Sequence, residues 1–128
     1  MRFTLDLSHH PWIRDAARQA PSRTLAVARA ADAGGIDAIW ASEDPEGWDA
    51  FALLGAIAAV TRTATLGTSV TSPYPRHPNL LAASVATLDQ LSGGRLIHFL
   101  DAGYQRREYV NYGLFWREEM EDLSLIHI

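Results

Sequence analysis

Cysteine and lysine are both absent from this 128-residue chain. Without cysteine there is no disulfide, no thiolate nucleophile and no Cys-bound zinc, so redox chemistry must be supplied by a cofactor. Without lysine, Schiff-base catalysis and a P-loop are excluded within the chain, since one needs a deprotonatable amine and the other its Lys on the phosphates. All 11 basic side chains are Arg, and 15 acidic ones bring the formal charge to -4. No basic run stands out, which leaves no electrostatic footprint for nucleic acid or an anionic membrane. Apolar runs of membrane-spanning length are missing as well. Met1-Arg2-Phe3-Thr4-Leu5-Asp6 meets a carboxylate before an apolar stretch develops, so neither a signal peptide nor a transmembrane segment is read there, and a cytoplasmic address is expected.

What is present has the balance of one globular unit, with 48% hydrophobic and 20% charged residues. Residues 2–7 alternate apolar and polar as a strand does, and Pro11 follows. Ser22 stands before an Ala-rich run with Leu25, Ala28 and Ala31 on one face, and Gly34-Gly35 closes it as a helix end. Residues 36–41 then read as a second strand. Asp49 is placed to cap a helix whose inward stripe is Phe51, Leu54 and Ala58, and residues 64–70 form a third strand. Pro78 suits the first turn of a helix with Leu81, Val85 and Leu88 inward; Ser92-Gly93-Gly94 ends it before a fourth strand over 96–100.

Strands recurring about every 30 residues with a helix between each pair mark βαβ units and a parallel sheet. A doubly wound dinucleotide-binding sheet would carry a Gly-rich turn after its first strand, where this chain has Ser8-His9-His10-Pro11. The expected class is therefore α/β, a (β/α)8 TIM barrel. A closed barrel takes about 250 residues, so about four βα units make the first half of one.

In such barrels the chemistry sits at the C-terminal ends of the strands, which selects residues 8–10, 42–44, 68–77 and 101–104. His9 and His10 invite a metal reading, but neighbouring strand residues point to opposite faces, so no metal site is assigned. Ser42-Glu43-Asp44 offers paired carboxylates for proton handling, or alternatively an ordinary capped loop before Pro45. Thr68 through Pro78 concentrates hydroxyls with Tyr74, Arg76 and His77 near a helix start. This suits a planar, partly anionic ligand, or else a Pro-stiffened loop closing the barrel.

Four runs together resemble the luciferase-like monooxygenase superfamily, which includes bacterial luciferase and the F420-dependent reductases. They are Ala33 to Trp40, Thr61 to Thr68, Arg76-His77-Pro78, and Ala86 to Arg95, and Glu108-Tyr109 through Tyr112-Gly113 continues the match. The resemblance implies a flavin- or F420-dependent oxidoreductase or monooxygenase that uses reduced FMN or coenzyme F420 on a small organic substrate. It implies a homo-oligomer for the whole enzyme, and an inactive fragment if these residues stand alone. It assigns Glu43, Asp44, Arg76 and His77 to substrate orientation or protonation, with Glu43 and Arg76 facing solvent. Ser42, Thr68, Ser69, Val70, Ala102 and Gly103 are assigned to the cofactor, with a non-prolyl cis peptide at Ser69-Val70. Where the family pairs Asp or Glu with His after its second strand, this chain has Glu43-Asp44, and Phe99 and Asp101 stand where members often have glycine. The domain is expected over residues 1–123, since Ser124 to Ile128 resembles a translated sequencing-adapter string. A metal-dependent barrel hydrolase using His9 or His10, and a non-catalytic half-barrel that only assembles, remain as alternatives.

Overall fold

The structure, a computed structural model, describes residues 1–7, 21–43, 48–101 and 106–115. Ser8, His9, His10, Asp44, Ala102, Gly103 and residues 124–128 fall outside the described residues, and with them the expectations placed on those positions. Strands β1 (Thr4–Asp6), β2 (Ala38–Ala41), β3 (Thr65–Thr68) and β4 (Leu96–Ile97) alternate with helices α1 (Pro21–Ala33), α2 (Ala50–Val60) and α3 (Pro78–Ser92), and α4 (Arg106–Asn111) follows. The strands form one sheet in the order β1-β2-β3-β4, and every neighbouring pair is parallel. This sequential parallel order is that of successive βα units of a (β/α)8 barrel.

The helices begin and end where local chemistry dictates. Asp49 caps α2 by accepting the Ala52 N–H at 2.8 Å, and His77 caps α3 through Nδ1, which accepts the Asn79 N–H at 3.2 Å. Gly93 takes the left-handed conformation at φ 74° and its N–H closes the end of α3, a geometry that costs glycine least. One start differs from the sequence reading: α1 begins at Pro21, so Ser22 lies inside its first turn. The strands are also shorter than their apolar patterns: β2 begins at Ala38 rather than Ile36, and β4 ends at Ile97.

Register sorts the two faces of the sheet. Leu5, Ile39, Leu66 and Leu96 are aligned across the strands and all pack into the core under the helices. That core takes Ala28 from α1, Phe51, Leu54, Ile57 and Ala58 from α2, and Leu81 and Leu88 from α3. Neighbouring helices touch, α1 with α2 and α2 with α3, so they cover one face together. The edge opposite the strand C-termini is tied by two side chains. Asp32 of α1 accepts the N–H groups of Arg62, Thr63 and Ala64 and the Thr63 hydroxyl, at 2.7 to 3.0 Å. Arg95 donates to the carbonyls of Ser92, Ala64 and Thr61 and to the Thr61 hydroxyl, locking the entry to β4 onto the entry to β3.

Candidate functional site

The aligned row one residue further along is Asp6, Trp40, Gly67 and Ile97, which the pleat turns to the face opposite the helices. In a barrel this is the interior wall. Trp40 lies across Gly67, where a Cβ would sit 2.0 Å from the indole Cζ3. The indole reaches the Phe99 ring, with centroids 5.8 Å apart and planes tilted by 32°. Beside these rings the Ser69 hydroxyl faces the Asp6 carboxylate at 3.5 Å, a contact that joins β1 to the segment after β3. The strand C-terminal end of this face therefore presents a carboxylate and a hydroxyl next to aromatic surface.

Backbone bonds stitch the segment after β3 to both neighbours. Ser69 N–H donates to Ala41, Glu43 N–H to Val70, Thr71 N–H to Phe99, and Asp101 N–H to Thr71. Between the Gly67–Ile97 and Thr71–Leu100 pairings, residues 68–70 stand opposite 98–99, so the β3 side carries an extra residue in the manner of a bulge. Thr68 compensates for the broken ladder. Its hydroxyl accepts the Phe99 N–H at 2.8 Å and donates to the Phe99 carbonyl at 2.9 Å. The Ser69-Val70 peptide is cis, as the resemblance implied.

The imidazole of His98 lies on the helix side, with Nδ1 3.1 Å from the Thr68 hydroxyl and its ring 5.6 Å from that of Phe51. Burial holds its pKa below the ordinary histidine value. Its Nε2 is buried without a hydrogen-bond partner among the described residues.

A second polar cluster links the loops at this edge. Arg76 donates to Glu43 and, at 2.6 Å, to Asp49, and its guanidinium sits 5.1 Å from the centre of the Phe51 ring. The Arg76 and Glu43 side chains are 17% and 7% exposed, so the expectation that they face solvent is corrected. Each is turned toward the other beneath the loops. Burial opposes ionisation of Asp49, but its bonds to Arg76 and the Ala52 N–H outweigh that and hold its carboxyl below the usual range. For Arg76 burial likewise opposes the charge, and the two carboxylates more than offset it, raising its pKa.

The expected site residues therefore separate. Glu43 and Arg76 come together with Asp49, which the sequence suggested only as a helix cap. His77 is exposed and caps α3. Thr68 is fully buried and its hydroxyl is committed to Phe99, so its side chain shapes the strand edge rather than offering a ligand contact. The Ser69 hydroxyl reaches the interior edge at Asp6, Val70 is exposed, and Ser42 is half-buried beside Glu43. The sequence reading passed over Asp6 and Trp40. The signal available for both was strand parity, since each stands one residue from a core-facing neighbour, Leu5 or Ile39. Among the described residues no group of three or more His, Asp or Glu side chains is arranged to hold a metal ion, and no helix is long and apolar enough to cross a membrane.

The chain is 33% identical over 123 residues to an F420-dependent glucose-6-phosphate dehydrogenase from Nakamurella multipartita, covering 84% of this chain and 36% of that protein. It is 32% identical over 93 residues to a 5,10-methylenetetrahydromethanopterin reductase from Methanolobus tindarius, covering 73% of this chain and 28% of that one. It thus spans about a third of the length of these curated relatives. In fold it is similar to the oxygenating constituent of 3,6-diketocamphane monooxygenase from Pseudomonas putida, solved with FMN. That likeness has a TM-score of 0.75 at 24% identity, covering 98% of this chain and 38% of that one. With a family match running over residues 1–124, the chain belongs to the luciferase-like monooxygenase family.

Proposed function

We propose that these residues contribute the first four βα units, residues 1–123, of a closed barrel enzyme that oxidises or reduces a small organic substrate with coenzyme F420 or FMN. The observation that carries this reading is the interior end of the sheet. There Asp6, bonded by Ser69, stands beside Trp40, whose indole reaches Phe99, giving an apolar surface for a flat ring and hydrogen-bonding groups for its polar edge. The F420 dependence of a relative at 33% identity supports the same choice of cofactor class.

When bound, the cofactor supplies hydride transfer or oxygen activation. Ser42, Ser69 and Val70 are its proposed contacts in the described chain, and the resemblance adds Ala102 and Gly103, which lie outside the described residues. Asp6 is the proposed proton-handling or substrate-orienting group, because its carboxylate lies on the interior face within reach of that space. Glu43 and Arg76 are positioning residues: their ion pair fixes the loop after β2 against the loop after β3, so the strand ends keep their shape. The resemblance adds His77 and Asp44 as substrate-orienting groups, Asp44 lying outside the described residues.

Equilibrium titration of the purified whole barrel enzyme, of which these residues are the proposed first half, with FMN and with F420, followed by absorbance and fluorescence, tests the reading. Micromolar binding of one of them, with turnover lost in Asp6→Asn while affinity and melting temperature are kept, is the expected result. Binding of neither cofactor, or bound zinc with hydrolase activity, would overturn it.

A further inference from the structure

We propose that Trp40 and Phe99 form a specificity-determining wall of the interior pocket, against which the flat ring of a ligand packs face-on. This rests on the reading above and adds the surface that selects the ring. Three observations carry it. Trp40 occupies the interior row between Asp6 and Gly67, and its indole crosses to β4 only because Gly67 has no side chain; a Cβ there would stand 2.0 Å from Cζ3. Phe99 braces the far edge of the indole at 5.8 Å, while Thr68 fixes its backbone by holding both its N–H and its carbonyl. Phe99 nevertheless remains 50% exposed, so its ring is not consumed by packing within the described residues.

The chemistry that suits this wall is a heteroaromatic ring with an apolar face and a polar edge. Ring faces stack offset or tilted on aromatic side chains, and the Asp6–Ser69 pair at the margin offers hydrogen-bonding groups to the ring's edge. A ligand lacking a flat ring gains only contact area from the same wall.

Four forms of that whole enzyme decide the matter: the unaltered protein, Trp40→Phe, Phe99→Leu and Gly67→Ala, each titrated with FMN and with F420. Readouts are ligand absorbance for affinity and tryptophan emission for contact, the chain having four Trp residues. Binding to the unaltered protein is expected to quench part of the emission, and Trp40→Phe is expected to remove that quenched part while keeping most of the affinity. Phe99→Leu preserves bulk and apolarity but not the ring, so affinity falls about tenfold, the size of a lost aromatic stack. Gly67→Ala displaces the indole and weakens binding by at least as much.

Unchanged affinity in Phe99→Leu and Gly67→Ala, or quenching that survives in Trp40→Phe, overturns the wall and leaves the cofactor reading standing. Failure of the unaltered protein to bind FMN or F420 overturns both. Should Gly67→Ala fail to fold, Phe99→Leu and Trp40→Phe still decide the question.

Discussion

Replacing Arg76 with Met should destabilise the protein far more than an ordinary loop substitution does. Met keeps an apolar stem over the Phe51 ring, so the change isolates the guanidinium. With Arg76 gone, the Glu43 carboxylate, 7% exposed and already carrying a buried Oε2 without a partner among the described residues, loses its counter-charge. Breaking a buried pair from one side costs about 3 to 5 kcal/mol. The second pair, to the 44% exposed Asp49, adds at most about 1 kcal/mol. Arg76 itself retains 17% exposure, which lets water relieve part of the loss and favours the lower end, about 3 kcal/mol. Urea denaturation at pH 7 of the unaltered protein, Arg76→Met, Glu43→Gln and the double variant gives the coupling directly. The double variant leaves no charge unpaired at this contact, so it should be less destabilised than the sum of the singles by about 2 kcal/mol. A cost below about 1 kcal/mol for Arg76→Met, with no coupling to Glu43, would refute the positioning role and return both side chains to direct substrate contact.

Asp32 should make stability depend on acidity. Burial raises its pKa, but the N–H groups of Ala64, Arg62 and Thr63 dominate and lower it from 3.8 to about 2. A depressed carboxyl contributes stability that is fully present above pH 3.8 and lost as pH falls through about 2. The shift corresponds to about 2.4 kcal/mol, which solvent screening of this partly exposed group reduces to about 1 kcal/mol. Denaturation of Asp32→Asn should therefore show a deficit at pH 7 that shrinks toward pH 2, and a deficit independent of pH counts against the bonding scheme. Thr68→Val keeps the volume of a fully buried side chain but leaves the Phe99 N–H without its partner, while the Phe99 carbonyl keeps the Thr71 N–H and hydroxyl. Its expected cost is about 1 to 3 kcal/mol, with faster hydrogen exchange at the Phe99 amide as the specific readout. Leu54→Ala removes a fully buried side chain from the centre of the helix-covered core and should cost about 2 to 5 kcal/mol by urea denaturation, whereas a loss under 1 kcal/mol would mean that the core closes around the gap.

The sequence by itself determined the order of βα units, the caps and the helix-facing core. These depend on local chemistry and on periodicity, both of which are written along the chain. Asp49, Pro78 and Gly93 mark helix boundaries through local chemistry, and Phe51, Leu54 and Ala58 share a helical face whatever surrounds them. The resemblance carried the family and the cis peptide at Ser69-Val70, because runs at fixed spacing identify a fold that local physics alone leaves ambiguous.

Only the tertiary structure decided what the polar residues at the strand ends do. Glu43 and Arg76 look like solvent-facing site residues in sequence. They meet as a part-buried ion pair because parallel pairing sets the end of β2 beside the segment after β3, a neighbourhood that residues 33 apart do not announce. Thr68 changes in the same way, from a ligand hydroxyl to the group that satisfies Phe99 where the ladder breaks. Asp6 and Trp40 emerge as interior residues through register alone, since one step along a strand exchanges its two faces and every side chain takes its role from the strand alongside.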